Sequence, residues 1–123
     1  MAHVLVVDDE TSIVMVLQSM LTRLGYDVLT AANGRQALEL ASVGSVDLVV
    51  TDIVMPDMNG IELITELQEK HPKLKIIAMS GGSVDNGPDE YLKDAQDLGA
   101  ARCLAKPFML SELSSLVKEL LSE

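Results

Sequence analysis

The chain alternates short runs of apolar residues, many of them β-branched, with longer segments whose apolar residues recur at helical spacing. Each short run is bounded by polar or turn residues and is too short for a helix, so it predicts a strand. The longer segments carry apolar residues every three or four positions, which is typical of amphipathic helices. The five predicted strands are residues 4–7, 26–31, 46–51, 74–79 and 101–105.

Five helical stripes lie between and after these strands. Gly25, Gly44 and Gly99 stand where C-terminal helix caps are needed. Met15 and Met20 of the first helix are expected to pack in the core of the protein rather than to form a binding face. The apolar residues of the five stripes are Ile13, Leu17, Met20, Leu21 and Leu24; Ala37, Leu40 and Ala41; Ile61, Ile64 and Leu67; Leu92, Ala95 and Leu98; and Leu113, Leu116, Val117 and Leu120.

Alternating strands and helices favour a parallel sheet joined by right-handed helical crossovers. The simplest arrangement is a doubly wound, flavodoxin-like (βα)5 fold of the α/β class. In this three-layer sandwich, a parallel five-stranded sheet of order 2-1-3-4-5 lies between helices. The 123 residues suffice for one domain, so residues 1–123 are expected to form a single unit. Binding sites in such sheets form beyond the carboxyl ends of the strands.

The charge of the chain excludes several kinds of partner. Nine Lys and Arg residues against 19 Asp and Glu residues give a formal net charge of −10. This charge repels phosphate backbones and anionic lipid surfaces, so neither nucleic acid nor a membrane is an expected partner. No apolar run is long enough to span a bilayer, and the first residues lack the basic start of a signal peptide. The single cysteine, Cys103, cannot form an internal disulfide, and we expect a cytoplasmic protein.

Acidic, hydroxyl and basic residues stand at the ends of the predicted strands. Asp8 and Asp9 end the first strand, Asp52 the third, Ser80 the fourth and Lys106 the fifth. Each has an ordinary alternative role as a helix cap, a turn residue, a loop residue or a solvated charge. Because the carboxyl ends of parallel strands meet at one edge of a sheet, their joint occurrence favours a shared crevice.

Three carboxylates in one crevice repel each other. At about 4 Å, each pair repels by about 4 kcal/mol at an effective dielectric constant of about 20. The acids must therefore take up protons or bind a cation, and oxygen ligands open to solvent suit Mg²⁺. With the charge offset by Mg²⁺ and Lys106, Asp52 can attack a phosphorus atom. The Ser80 hydroxyl can then hydrogen-bond the added phosphoryl oxygens.

These residues resemble the receiver domain of bacterial response regulators, of the chemotaxis-type single-domain kind, and the resemblance covers essentially the whole chain. It rests on residues 4–10, 51–60, 79–80 and 106–108. The resemblance implies a signalling domain of a two-component system that catalyses only its own phosphorylation and dephosphorylation. It also implies that Asp52 receives its phosphoryl group from a sensor histidine kinase or a histidine phosphotransfer protein.

The resemblance further implies the ligands of the metal ion. Asp9 and Asp52 would bind Mg²⁺ directly and Asp8 would bind it through water. The backbone carbonyl of Val54 would complete the ligands from the protein.

The resemblance also implies how phosphorylation becomes a signal. Lys106 would pair with the phosphoryl group, Ser80 would close on it, and the peptide bond before Pro107 would be cis. The surface of helix 4, strand 5 and helix 5 would then change and would meet a downstream protein or, in a homodimer, a second copy. This surface is expected to include Tyr91, Lys93, Arg102, Cys103 and Met109.

Two departures from the family pattern concern the switch. Cys103 stands three residues before the Lys-Pro pair, where the family usually has an aromatic residue, so an aromatic rotamer switch cannot operate there. Cys103 is either an inert strand residue or a redox group, and no other feature of the sequence supports the redox role. Residues 81–88 form a long, glycine-containing loop after Ser80. This loop either carries most of the switching or is a tolerated surface insertion.

Other functions fit the residues less well. A flavodoxin-type cofactor carrier needs a phosphate-binding loop after the first strand, where the acidic residues 8–10 would repel phosphate. A haloacid-dehalogenase-type phosphatase needs a second carboxylate two residues after its nucleophile, where Val54 stands. The remaining alternative is a degenerate receiver that binds partners without phosphorylation. The acids at the strand ends argue against it, and Cys103 keeps it open.

Replacing Val54 by asparagine is expected to speed the loss of the phosphoryl group. Val54 lies two residues after Asp52, where the resemblance implies that polar side chains influence attack by water. The apolar side chain of Val54 can neither orient nor activate a water molecule. The wild-type protein should therefore dephosphorylate at a slow or moderate rate. The measurement is phosphate release from the Mg²⁺-bound, phosphorylated wild type and Val54→Asn variant, and equal rates would reject the prediction.

Overall fold

The part of the chain that the structure describes forms five strands and four helices. This computed structural model describes residues 2–53, 60–80, 100–105 and 108–122. The strands are β1 (His3–Val7), β2 (Asp27–Ala31), β3 (Leu48–Asp52), β4 (Lys75–Ser80) and β5 (Arg102–Ala105). The helices are α1 (Thr11–Arg23), α2 (Gly34–Val43), α3 (Gly60–Lys70) and α4 (Leu110–Leu121).

The predicted helix around residues 92–98 and its cap Gly99 lie outside the described residues. The helix predicted from Leu113 onwards is the C-terminal helix, α4. Within the described ranges, none of the helices has both the length and the apolar character needed to cross a membrane.

All five strands run parallel in one sheet of order β2-β1-β3-β4-β5, which confirms the predicted doubly wound order. Val7 of β1 lies opposite Ala31 of β2 and Thr51 of β3. Asp52 at the end of β3 lies opposite Met79 of β4. The strand order therefore reverses between β1 and β3, at the place where such sheets form their sites.

One face of the sheet packs against α1 and α4. Side chains of successive strand residues point to opposite faces, so every second residue of an apolar strand enters the same core. Val4 and Val6 of β1 lie in a buried cluster with Leu17 and Leu21 of α1 and with Leu113 of α4. We call this cluster the α1/α4 core.

The other face packs against α2 and α3. Leu5 and Val7 of β1 lie in a second buried cluster with Ala37 of α2 and with Leu63 and Ile64 of α3. We call this cluster the α2/α3 core. Helices on both faces of a parallel sheet confirm the predicted three-layer sandwich.

Gly25 ends α1 in the conformation that its predicted role as a cap requires. Its φ angle is +96°, in the left-handed region that favours glycine. The Gly25 N–H donates to the Thr22 carbonyl at 3.0 Å, and the Tyr26 N–H donates to the Leu21 carbonyl at 3.2 Å. This pair of bonds is a Schellman motif. Gly44 caps α2 with an extended backbone instead.

The helix surfaces differ from the predictions at three residues, of which the first is Leu24: it belongs to the first predicted stripe but is 37% exposed. Met15 is 63% exposed, so the expectation that it packs in the core is wrong, whereas Met20 packs against the α1/α4 core. α1 contacts the sheet through Leu17 and Leu21, and the helical period carries Met15 to the other side. Leu63 of α3 is fully buried although it lies outside the predicted stripe.

Replacing Leu113 by alanine is expected to lower the free energy of unfolding by about 2–5 kcal/mol, because it leaves a cavity in the α1/α4 core. Leu113 is fully buried. Leu110 of the same helix is 43% exposed and provides the matched control, with an expected loss below about 1 kcal/mol for Leu110→Ala. Urea unfolding of the two variants measures both values, and equal losses would contradict this assignment of the core.

Candidate functional site

The acidic residues at the ends of β1 and β3 lie side by side at the carboxyl edge of the sheet. Val7 is opposite Thr51, so the next residues along the two strands, Asp8 and Asp52, come to adjacent positions. One carboxylate oxygen from each of Asp8, Asp9 and Asp52 lies within 4.8 Å of the other two. The structure thus brings together the three acids that the sequence singled out.

Two of these three acids are buried. Asp8 is 1% exposed and Asp52 is 5% exposed, whereas Asp9 is exposed to solvent. The Asp8 carboxylate accepts a hydrogen bond from the Glu10 N–H at 3.0 Å, and the Asp8 N–H donates to the Ala31 carbonyl at 3.2 Å. Buried carboxylates require hydrogen bonds, opposite charge or a metal ion to remain ionised. The cluster is therefore oriented by the fold and reaches solvent through Asp9.

The residues on either side of Asp52 hold its backbone in place. The Thr51 hydroxyl is fully buried and donates to the Asp52 carbonyl at 2.9 Å. The Ile53 N–H donates to the Met79 carbonyl of β4 at 2.9 Å, which extends the ladder of hydrogen bonds beyond the strand. Both bonds hold the Asp52–Ile53 peptide, the peptide group that directly follows the Asp52 side chain.

Sequence reasoning missed two residues that contact this backbone. The sequence pattern places Thr51 at the end of a strand and gives neither Thr51 nor Gly60 a role of its own in the site. The structure places Gly60 at the start of α3, where its N–H donates to the Ile53 carbonyl at 2.6 Å. A hydroxyl residue at the end of an otherwise apolar strand is a signal that could have singled out Thr51. No sequence signal marks the contact of Gly60 with Ile53, because this contact depends on how closely α3 approaches the end of β3.

Ser80 is the last residue of β4 and is fully buried. Because Asp52 lies opposite Met79, Ser80 lies one residue farther toward the carboxyl edge on the neighbouring strand. On its other side, Ser80 is paired in register with Ala105 of β5. The predicted hydroxyl residue and the predicted nucleophile therefore end adjacent strands.

Three predicted site residues, Val54, Lys106 and Pro107, lie outside the described residues, as does the whole range 81–99. The metal-binding carbonyl, the ammonium group, the cis peptide bond and the switching loop therefore stay predictions. β5 ends at Ala105, so the chain has reached the carboxyl edge of the sheet immediately before Lys106.

The donor atoms of the acid cluster fit a small divalent cation. All three are carboxylate oxygens, the ligand type that Mg²⁺ prefers. Oxygens bound to one Mg²⁺ at about 2.1 Å lie at most about 4.2 Å apart. The limit of 4.8 Å on the observed separations is close to this span, so small side-chain movements or one bridging water suffice. The cluster can therefore hold Mg²⁺ together with several water molecules.

The surface of β5 and α4 carries the other residues that the sequence singled out. Cys103 is half-buried and packs against the α2/α3 core, and burial raises the pKa of its thiol. Arg102 next to it forms an ion pair with Glu119 of α4 at 2.7 Å. Met109, which precedes α4, is 68% exposed. Cys103 thus has the environment of an inert strand residue, the simpler of its two interpretations.

Comparison with known protein families identifies the family of this chain. The family model for the response regulator receiver domain matches residues 4–118. The chain belongs to this family. The resemblance inferred from residues at the strand ends is thereby confirmed.

The receiver domain is similar to proteins of several bacteria. It is 39% identical over 118 residues to the alkaline phosphatase synthesis transcriptional regulatory protein PhoP of Bacillus subtilis, covering 96% of this chain and 48% of PhoP. It is 38% identical over 112 residues to the chemotaxis protein CheY of Thermotoga maritima, covering 90% of each chain. The chain thus spans about half of PhoP and smaller fractions of some other relatives.

Solved structures give the same result for the fold. The response regulator TrrA from Thermotoga maritima, in complex with Mg(2+)-BeF, superposes with a TM-score of 0.86 at 37% identity. The match covers 98% of this chain and 99% of TrrA.

Membership in the family carries general properties with it. Receiver domains of two-component systems are signalling domains rather than classical enzymes. They bind Mg²⁺ at an acidic pocket and interact with histidine kinases or phosphotransfer proteins and with downstream targets. In this chain, Asp8, Asp9 and Asp52 form an acid cluster with the donor atoms that a metal site of this kind needs.

Alkylation of Cys103 by iodoacetamide is expected to begin at higher pH in the folded protein than in the urea-unfolded protein. Only the thiolate reacts, and burial raises the pKa of the folded thiol, so the neutral form persists as the pH rises. The measurement is the alkylation rate of both states across a pH series, with Cys103→Ser as the control for other sites. A midpoint for the folded protein at or below that of the unfolded protein would contradict the prediction.

Proposed function

We propose that this protein is a phospho-accepting receiver domain that works in the cytoplasm and whose phosphorylation site is Asp52. The observation that carries the proposal is the convergence of three carboxylates, two of them buried, at the ends of β1 and β3. A buried acid cluster of this kind is unfavourable for folding unless a cation compensates it. Its presence at the ends of two strands with mostly apolar, buried residues is explained by a chemical task.

In this proposal, an Asp52 carboxylate oxygen attacks the phosphorus of a phosphohistidine on a sensor kinase or phosphotransfer protein. The oxygen–phosphorus bond forms while the phosphorus–nitrogen bond breaks, and the imidazole nitrogen keeps the electron pair and then takes up a proton. Asp52 is suited to this step because its backbone is held by Thr51 and Ile53, so its carboxylate needs little reorganisation.

The acids would share the work of holding Mg²⁺. Asp9 and Asp52 would bind it directly, Asp8 would bind it through water, and the Val54 carbonyl would complete the set. The exposure of Asp9 supports a site that a hydrated ion can enter from solvent. When bound, Mg²⁺ would offset the negative charge of the carboxylates and of the incoming phosphoryl group.

Ser80 and Lys106 would hold the added phosphoryl group. The Ser80 hydroxyl would donate to a phosphoryl oxygen, and the Lys106 ammonium group would pair with another. Each charge-assisted contact contributes about 1.5–3 kcal/mol. Shifting a population from 1:99 to 99:1 takes about 5.5 kcal/mol, so these two contacts could supply most of the switching energy.

The output surface in this proposal consists of the predicted helix around residues 92–98, the strand β5 and the C-terminal helix α4. Arg102, Met109 and Glu119 present charge and exposed apolar area there. Phosphorylation would change this surface and so control a downstream protein or a second copy of the chain. Because Cys103 replaces the usual aromatic residue, the change would rely on Ser80 and on the loop that follows it.

A phosphorylation-independent interaction domain is the second candidate function. Cys103 supports it, because a small side chain packed against the α2/α3 core offers no aromatic switch. In that case the same surface would bind a partner in one constant state.

Incubation with Mg²⁺ and acetyl phosphate tests between the two functions. The wild-type protein is expected to gain the mass of one phosphoryl group, because acetyl phosphate can donate directly to Asp52. Asp52→Asn should gain none, and neither should the wild type with EDTA in place of Mg²⁺. Intact-mass spectrometry measures all three.

The matched control is Asp27→Asn, an exposed acid at the start of β2 and therefore at the other end of the sheet. This variant should be phosphorylated like the wild type. Absence of an adduct on the wild type would favour the phosphorylation-independent function. An adduct that persists in Asp52→Asn would reject Asp52 as the site.

A further inference from the structure

Gly60 places the start of α3 beside the proposed phosphorylation site, Asp52. It is the first residue of the helix, it is buried, and its N–H donates to the Ile53 carbonyl at 2.6 Å. This hydrogen bond joins the residue that follows Asp52 to the start of α3. The helix is therefore attached to the backbone of the site itself.

A side chain at position 60 has no room. An ideal Cβ atom there would lie 2.5 Å from the Asp52 carbonyl oxygen and 3.1 Å from the Ile53 carbonyl carbon, and closer still to the Ile53 Cα atom. All three are backbone atoms, which cannot rotate away as the end of a flexible side chain can. Only glycine therefore permits this seating of α3 on the Asp52–Ile53 peptide.

The Asp52–Ile53 peptide cannot retreat freely from a new side chain. The Asp52 carbonyl accepts a hydrogen bond from the Thr51 hydroxyl, and the Ile53 N–H donates a hydrogen bond to the Met79 carbonyl of β4. The Ile53 side chain is 1% exposed and lies within the α2/α3 core. An added methyl group must therefore move either the start of α3 or the backbone that carries the Asp52 carboxylate.

We propose that Gly60 is a positioning residue for Asp52. By lacking a side chain, it lets α3 press the Asp52–Ile53 peptide into the orientation that directs the Asp52 carboxylate toward Asp8 and Asp9. Glycine is less favourable than alanine at a helical position, and the contact with the site accounts for its presence. This inference rests on the proposed role of Asp52 as phosphoacceptor and Mg²⁺ ligand.

The test compares two Gly→Ala variants of the full chain. Gly60→Ala introduces the methyl group beside Asp52. Gly25→Ala introduces the same group at the other end of the sheet, where its Cβ would meet nothing within 4 Å and the cost comes from φ of +96° alone. Both variants are expected to lose stability, which thermal unfolding measures. Gly25→Ala therefore controls for a merely structural effect.

Mg²⁺ binding to the folded proteins, measured by calorimetry, separates the two variants. Gly60→Ala is expected to weaken Mg²⁺ affinity roughly 10-fold or more, as the loss of groups that orient metal ligands typically does. Its phosphorylation by acetyl phosphate should slow even at saturating Mg²⁺, because the carboxylate is misdirected. Gly25→Ala should keep wild-type values of both. Wild-type Mg²⁺ affinity and rate in folded Gly60→Ala would overturn the proposal.

Thr51→Val provides a second test if Gly60→Ala does not fold. It keeps the shape of the buried side chain and removes the hydroxyl that holds the Asp52 carbonyl. Several-fold weaker Mg²⁺ binding is expected, and unchanged binding would overturn the proposed control of the carboxylate through its backbone. A wild-type protein that neither binds Mg²⁺ nor accepts a phosphoryl group would instead overturn the proposed function, and this inference with it.

Discussion

The parallel register between β1 and β3 is the constraint on which the site depends. It aligns Val7 with Thr51, so that Asp8 and Asp52 are the next residues along two adjacent strands. Both strands are mostly apolar and buried up to this level, and their first acidic side chains appear together at the carboxyl edge. A slip of one residue would turn one acid to the other face of the sheet. The register that stabilises the core therefore also assembles the site.

The two cores position the acid cluster but do not stabilise its negative charge. Every second residue of β1 and β3 enters the α1/α4 core, and Asp8 and Asp52 continue that alternation one step past the apolar region. On the other face, Ile53 anchors the chain in the α2/α3 core directly after Asp52. Apolar contacts cannot solvate a carboxylate, so the stabilisation of charge must come from hydrogen bonds and cations at the edge.

The succession of short apolar runs and amphipathic segments was sufficient to predict a doubly wound parallel sheet, whose simplest strand order is the observed one. The residues that end the apolar runs were sufficient to single out the three acids. The sequence pattern was insufficient where contacts depend on the approach of separate elements. Gly60 reads as an ordinary turn glycine until α3 is seen to rest on the Asp52–Ile53 peptide. Met15 reads as a core residue until α1 is seen to contact the sheet through a narrow face. In both cases the deciding quantity is a tertiary distance, which local pattern does not encode.

The charge of the site links its stability to its chemistry. Carboxylates about 4 Å apart repel by about 4 kcal/mol per pair at an effective dielectric constant of about 20, and a phosphoryl group adds further negative charge. Such a site can gain a phosphoryl group only when positive charge is already present, and that positive charge also relieves the repulsion among the acids. In the proposed function, binding of a cation and competence for phosphorylation are therefore two consequences of one electrostatic balance. The acids that make the cation-free fold less stable are the ones that make the proposed switch depend on a metal ion.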